Sequence, residues 1–221
     1  MSFGTIYTHE LNPRTVAILA IAKEQGLKLE VIYADKEKNE ENYEKLLHIN
    51  PLGQVPTFVG SDGYVLTECM AIALYITSQS DTTTLLGRTR RDYFNIIRWM
   101  SLANSELLPA AGGIILPLIG RQTDGRKDLQ SCLRSFHRDC RLLEDHLTKN
   151  RYLVGDQVTL ADFFTVGMLK FPFMLGHKVL HVEYPKLREW FGRVYETPMF
   201  KDVAGELHFL DVPFPALEED E

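Results

Sequence analysis

Between residues 3 and 80 the spacing of apolar and polar positions repeatedly changes period. Thr5-Ile6-Tyr7-Thr8 reads as a short strand, the stretch from about Thr15 to Gln25 carries apolar residues at helical spacing, and Leu29-Glu30-Val31-Ile32-Tyr33 alternates as a strand again. Gly26 stands where a helix-terminating glycine belongs, and the connection is long enough to lay the two strands side by side in parallel. A βαβ unit is expected. A second half follows, with a strand over Gln54-Val55-Pro56-Thr57-Phe58-Val59, a Ser61-Asp62-Gly63 turn, Tyr64-Val65-Leu66, and a helix from about Glu68 to Ser80. The turn implies an antiparallel pair, so this half reads ββα.

From Asp81 to Arg88 the chain is polar and turn-rich, and beyond it every convincing segment has helical period. Helices are predicted at roughly 89–110, 126–149, 159–175 and 185–197, with Pro109, Gly112-Gly113 and Pro117 interrupting the region after the first. The reading is α/β plus all-α: a thioredoxin-like βαβ-ββα domain over residues 1–81, then an all-helical domain over residues 89–221. Within the second, Thr159 reads as a helix cap, Asp162 as the residue reaching back to it, and Val158 as stapled to Phe163. That is a folding device, so Asp162 is given no catalytic role. Glu218-Glu219-Asp220-Glu221 reads as a frayed, solvated acidic end.

Composition narrows the function classes. The net charge of −6 over 221 residues offers no broad basic field, which argues against direct nucleic-acid binding. Three cysteines (Cys69, Cys132, Cys140) without a CxxC pair indicate neither a disulfide framework nor a cysteine metal site. No metal is expected. The start, Met1-Ser2-Phe3-Gly4-Thr5, has no basic, apolar leader pattern, and no apolar run approaches the roughly 20 residues needed to cross a bilayer. A reducing, cytoplasmic setting away from membranes is expected.

The chemistry concentrates in two segments. In Asn50-Pro51-Leu52-Gly53-Gln54-Val55-Pro56-Thr57-Phe58, a proline directly before a strand of this order is the place for a cis peptide at Val55–Pro56. A cis bond would turn the Val55 backbone outward to pair with an extended peptide; an ordinary trans loop is the alternative, and the spacing favours neither. Thr67-Glu68-Cys69-Met70-Ala71 opens a helix whose first N–H groups attract anions. A ligand carboxylate could sit there while Glu68 pairs with an adjacent ammonium; the plainer reading is an acid that favours a helix start.

The runs "NPLGQVPTF" and "LTECMAIALYI" resemble the glutathione transferase superfamily. "GTIYTHELNPR", "RWMSLANSELLP", "YLVGDQVTLADFFTV" and "FKDVAGEL" are similar to the transferase-like N-terminal domain of the elongation factor 1B gamma subunit, a branch that includes stand-alone fungal transferases. The resemblance spans essentially the whole chain. It implies a glutathione transferase that activates the thiol of glutathione, its co-substrate, for conjugation to a small electrophile or for peroxide or disulfide reduction. The alternative it leaves open is a non-catalytic scaffold that meets elongation factor subunits. The close on Pro213-Phe214-Pro215-Ala216 and four acids, with nothing like that subunit's charged linker, favours the stand-alone enzyme.

Carried onto this sequence, the resemblance has Val55, ahead of Pro56, pairing with the cysteinyl backbone, Glu68 holding the γ-glutamyl ammonium and Gln54 reaching toward the glycyl end. Position 69 departs from the usual serine, and the Cys69 thiol is a weaker donor. For the thiolate, the loop Tyr7-Thr8-His9-Glu10-Leu11-Asn12-Pro13-Arg14 offers no serine or cysteine, so Asn12 ranks first as catalytic residue and Tyr7 second. His9 is weighed as a surface residue and Arg14 as a brace of the binding site. The resemblance also implies a homodimer, and the 89–110 segment has apolar residues beyond one stripe (Ile96, Ile97, Trp99, Met100, Leu102) that a partner could cover.

Overall fold

The computed structural model describes residues 2–121 and 128–218. Strands β1 (Gly4–Thr8) and β2 (Leu29–Tyr33) run parallel, joined by helix α1 (Pro13–Glu24). Strands β3 (Thr57–Gly60) and β4 (Val65–Leu66) are antiparallel neighbours, and β3 lies antiparallel to β1, giving the order β2-β1-β3-β4. Gly26 and Gly63 take φ of +71° and +85°, so both predicted turns fall on residues without a Cβ to strain them. Neighbours along β1 point to opposite faces: Ile6 joins the core of α1 and of α3 (Cys69–Thr77), while Tyr7 packs with Ala34 and Leu46.

Helix α2 (Glu40–Ile49), between β2 and β3, is not legible in the apolar spacing. Its fully buried residue is Leu46, too little for a stripe, and its formation rests on local chemistry. Asn39 caps it by accepting from the Asn42 N–H at 3.3 Å, and Glu40 and Glu41 sit in the first turn, where the helix dipole favours acids.

The second half is helical, with bounds that differ from the sequence reading in instructive ways. Helix α4 (Arg90–Leu102) continues through a π-helical turn (Ala103–Leu107) into α5 (Leu108–Leu118), so Pro109 and Gly112-Gly113 do not end it. Pro109 has no N–H for the Ser105 carbonyl and its ring would crowd it; the widened turn, where the Leu108 N–H reaches the Ala103 carbonyl, relieves both. Helix α6 (Leu129–Lys149) follows; its predicted first residues, 126 and 127, lie outside the described residues, as do 219–221 of the acidic end. Helix α7 (Leu160–Glu183) runs past the predicted stop at 175 and through Pro172, and is buried nearly all round over its first half. Between residues 176 and 183 only Gly176 and Leu180 are buried, too few to mark a stripe. Helices α8 (Pro185–Tyr195) and α9 (Pro198–Ala204) complete the regular structure among the described residues, the latter too short to show a period.

Two features hold this half in place. Asp162, fully buried, accepts from Thr159 N–H (2.8 Å) and hydroxyl (2.9 Å), Leu153 N–H (2.9 Å) and Trp190 Nε1 (2.8 Å), tying a loop, α7 and α8 to one carboxylate. Burial pushes that carboxyl above its ordinary range while the four donors pull it back. Helix α1 packs on α7 and α9, with the Pro13 carbonyl 3.0 Å from where a side chain at Gly167 would begin. The start of α1 is therefore set by the helical half. No helix among the described residues is long and apolar enough to cross a membrane.

Candidate functional site

A cleft of about 370 Å³ is lined by Arg14 of α1, the loop residues Asn50, Gly53, Gln54, Val55 and Pro56, then Thr67, Glu68 and Cys69 at the start of α3, and Asn104 of the π turn. The Val55–Pro56 peptide is cis. Among the described residues nothing pairs with the Val55 N–H or C=O, so both are open to a ligand.

The loop that presents them is held from behind. Asn50 Nδ2 donates to the Gln54 carbonyl (3.1 Å) and Thr57 Oγ1 (3.0 Å), its oxygen accepts from Leu52 N–H (3.2 Å), and the Thr57 hydroxyl donates to the Gln54 carbonyl (2.9 Å). Gly53, at φ +61°, lies so close to α2 that a Cβ would meet the Tyr43 hydroxyl at 2.4 Å. The unpredicted helix thus shapes the loop. Asn50 has a positioning role that its place in the "NPLGQVPTF" run did not by itself reveal.

At the start of α3, Glu68 has φ 66° and ψ 115° and its side chain does not cap the helix. The Ile72 N–H reaches the Glu68 carbonyl at 3.0 Å, but no oxygen of the described protein accepts from the first-turn N–H groups before it. An uncapped helix start with a carboxylate beside it suits a zwitterion: an anion on the N–H groups and a cation on Glu68. Cys69 is 4% exposed, and burial pushes its thiol up, against the pull of Arg14 and with the help of Glu68. It remains a thiol and a donor, directed at Asn104 Oδ1 at 3.4 Å.

Of the sequence-predicted site residues, the cleft brings together Arg14, Gln54, Val55, Pro56, Glu68 and Cys69. Asn12 and Tyr7 are not on its lining. Asn12, 4% exposed, caps α1 by accepting from the Arg14 N–H (3.0 Å), and its nitrogen donates to Thr8 Oγ1 (3.2 Å). It lines a separate groove of about 170 Å³ with His9, Leu11, Val31, Tyr33 and Lys170. Tyr7 lines neither and packs beneath α2. Asn104 went unnoticed in the sequence; its one signal is a proline five residues on, which forces the π turn that carries it.

The family models for the glutathione S-transferase N-terminal and C-terminal domains match residues 2–78 and 107–198. Glutathione S-transferase mdpJ of Emericella nidulans is 42% identical over 93% of this chain and 92% of its own length. Glutathione S-transferase stcT of the same organism is 45% identical over 93% of each. Among solved structures, the GST-like domain of elongation factor 1-gamma from Saccharomyces cerevisiae has a TM-score of 0.80 at 30% identity, over 97% of this chain and 99% of its own.

Proposed function

The chain belongs to the glutathione S-transferase family, and from that premise we propose that it binds glutathione in the 370 Å³ cleft and passes the thiolate to a small electrophile. The observation that carries this is the meeting, in one cleft, of an unpaired backbone at Val55, an uncapped helix start and the Glu68 carboxylate. The γ-glutamyl carboxylate takes the first-turn N–H groups of α3, its ammonium takes Glu68, the cysteinyl backbone pairs with Val55, and Gln54 serves the glycyl end. In conjugation, the thiol proton leaves to solvent and the thiolate forms a C–S bond, while the carbon either expels its leaving group with the bonding pair or shifts a π pair to its neighbour, which solvent protonates. In the reductive alternative, the thiolate attacks a peroxide oxygen, breaking O–O and releasing the alcohol, or a disulfide sulfur, breaking S–S and releasing a thiolate. A second glutathione thiol then attacks the first glutathione sulfur and displaces hydroxide or the remaining thiolate, leaving glutathione disulfide.

The thiolate needs a donor, because a free thiol titrates at about 8.5. We assign this to Asn12: one hydrogen of its amide is left unused by the cap and Thr8, and Arg14, two residues on, lines the cleft. A second reading, a scaffold that meets elongation factor subunits, draws on the likeness to the yeast domain and on the capping work that occupies the Asn12 side chain. We place the chain in the cytosol, which suits three buried cysteines free of disulfides. We also propose a homodimer. Ile96, Trp99 and Met100 bury inside the protomer, so the surface left for a partner centres on Phe94, 66% exposed, with half-buried Ile97.

Calorimetry should show glutathione binding to the parent and a loss of about 1–3 kcal/mol, roughly five- to 150-fold, in Glu68→Ala. Unchanged affinity in that variant would mean the ligand lies elsewhere. Asn12→Ala should lose about 1 kcal/mol of stability with the cap. It should also raise the bound thiol's pKa by roughly one to two units and cut neutral-pH turnover about ten- to 100-fold, because the anion loses its donor. Ultraviolet titration of the thiolate separates the roles: lower stability with an unmoved titration leaves Asn12 as a cap only, and a shift in Tyr7→Phe instead would transfer the role to Tyr7. Light scattering should give a dimer at micromolar concentration; a monomer throughout would discard the second copy.

A further inference from the structure

Among the described residues Arg14 is the one cation on the cleft lining, and its partner is neutral. Its Nε donates to Asn104 Oδ1 at 3.0 Å, and the Cys69 thiol donates to the same oxygen at 3.4 Å. Two donors converging on one atom require it to be the carboxamide oxygen, since the amide nitrogen there would set N–H against N–H. Among the described residues no Asp or Glu lies within ion-pair distance of Arg14. The same π turn also carries an acid, Glu106, but it pairs with Arg138 at 3.3 Å. The turn thus offers Arg14 an acceptor with no charge, from a position 90 residues away in sequence.

Resting on the glutathione reading above, we propose that Asn104 is a positioning and specificity-determining residue: it fixes Arg14 beside the start of α3 without neutralising it, so that Arg14 serves as counter-ion to the α-carboxylate of a γ-glutamyl ligand. Arg14 and Cys69 share one acceptor, so the guanidinium stands next to the uncapped helix start where that carboxylate is received. Helix and guanidinium act on the same anion. An aspartate at position 104 would keep the shape and the acceptor while cancelling the charge.

The test is calorimetry with glutathione and with its analogue lacking the α-carboxylate, γ-aminobutyryl-cysteinyl-glycine. The parent should prefer glutathione by about 10- to 100-fold. In Asn104→Asp that preference should collapse through weaker glutathione binding, with the analogue bound as before. Arg14→Gln should reproduce the collapse, and Asn104→Asp should add nothing to it. A purely structural acceptor at position 104 would be preserved by aspartate, so an undiminished preference in a folded Asn104→Asp overturns the proposal. Should that variant fail to fold, Arg14→Gln decides, and a retained preference there overturns it equally. A parent that binds glutathione but does not prefer it over the analogue also overturns the proposal, whereas a parent that binds no glutathione overturns the functional reading itself.

Discussion

Glu68 holds a left-handed backbone conformation, φ 66°, that residues other than glycine adopt at a cost of about 1–3 kcal/mol. With Glu68 so placed its side chain does not cap α3, and the helix opens into the cleft with no oxygen of the described protein accepting from its first N–H groups. The packing behind it over-determines this arrangement. Ile72, Ala73 and Ile76 of α3 are fully buried, in one core with Phe58 of β3 and Ile18 and Ile21 of α1. Relaxing the backbone at Glu68 would require moving a helix locked into that core, so the strain stays where a ligand can use it.

The other wall of the cleft comes from the helical half, and its placement depends on a few close contacts. Gly167 admits the start of α1 against α7, Asp162 binds the start of α7 to α8 and the preceding loop, and Pro109 forces the π turn that brings Asn104 to Arg14 and Cys69. Gly167, Asp162 and Pro109 are not on the cleft lining. Each acts by setting where a backbone runs. A site between a sheet and a helical bundle needs both halves in register, and these buried polar and small residues supply that register.

Residues whose role follows from local chemistry were legible in the sequence. The strands and the helix start at Glu68 announce themselves by alternation and by an acid before an apolar run, whereas a proline at a strand entrance left cis and trans equally open at Pro56. Helix α2 escaped because Leu46 alone is fully buried in it, and α7 was cut short because between residues 176 and 183 only Gly176 and Leu180 are buried, too few to mark a stripe. Asn104 and Asn50 escaped for a different reason. The partners of Asn104 lie 90 and 35 residues away and those of Asn50 two to seven, and nothing in an asparagine's neighbours states which oxygen or nitrogen it will meet. Asn12 shows the converse: the loop chemistry that marks it for a thiolate is equally the chemistry of a helix cap, and the structure uses it as one.

The most direct measurement of the central claim, that glutathione occupies the cleft between the Val55 loop and the start of α3, is amide NMR of the labelled protein during glutathione titration. The largest shifts should fall on Gln54, Val55, Cys69 and Met70 and on the Arg14 side-chain Nε–H, with Val31 and Val203 in the smaller groove unmoved. Shifts centred on that smaller groove, with the Val55 and Cys69 amides unmoved at saturation, would contradict it.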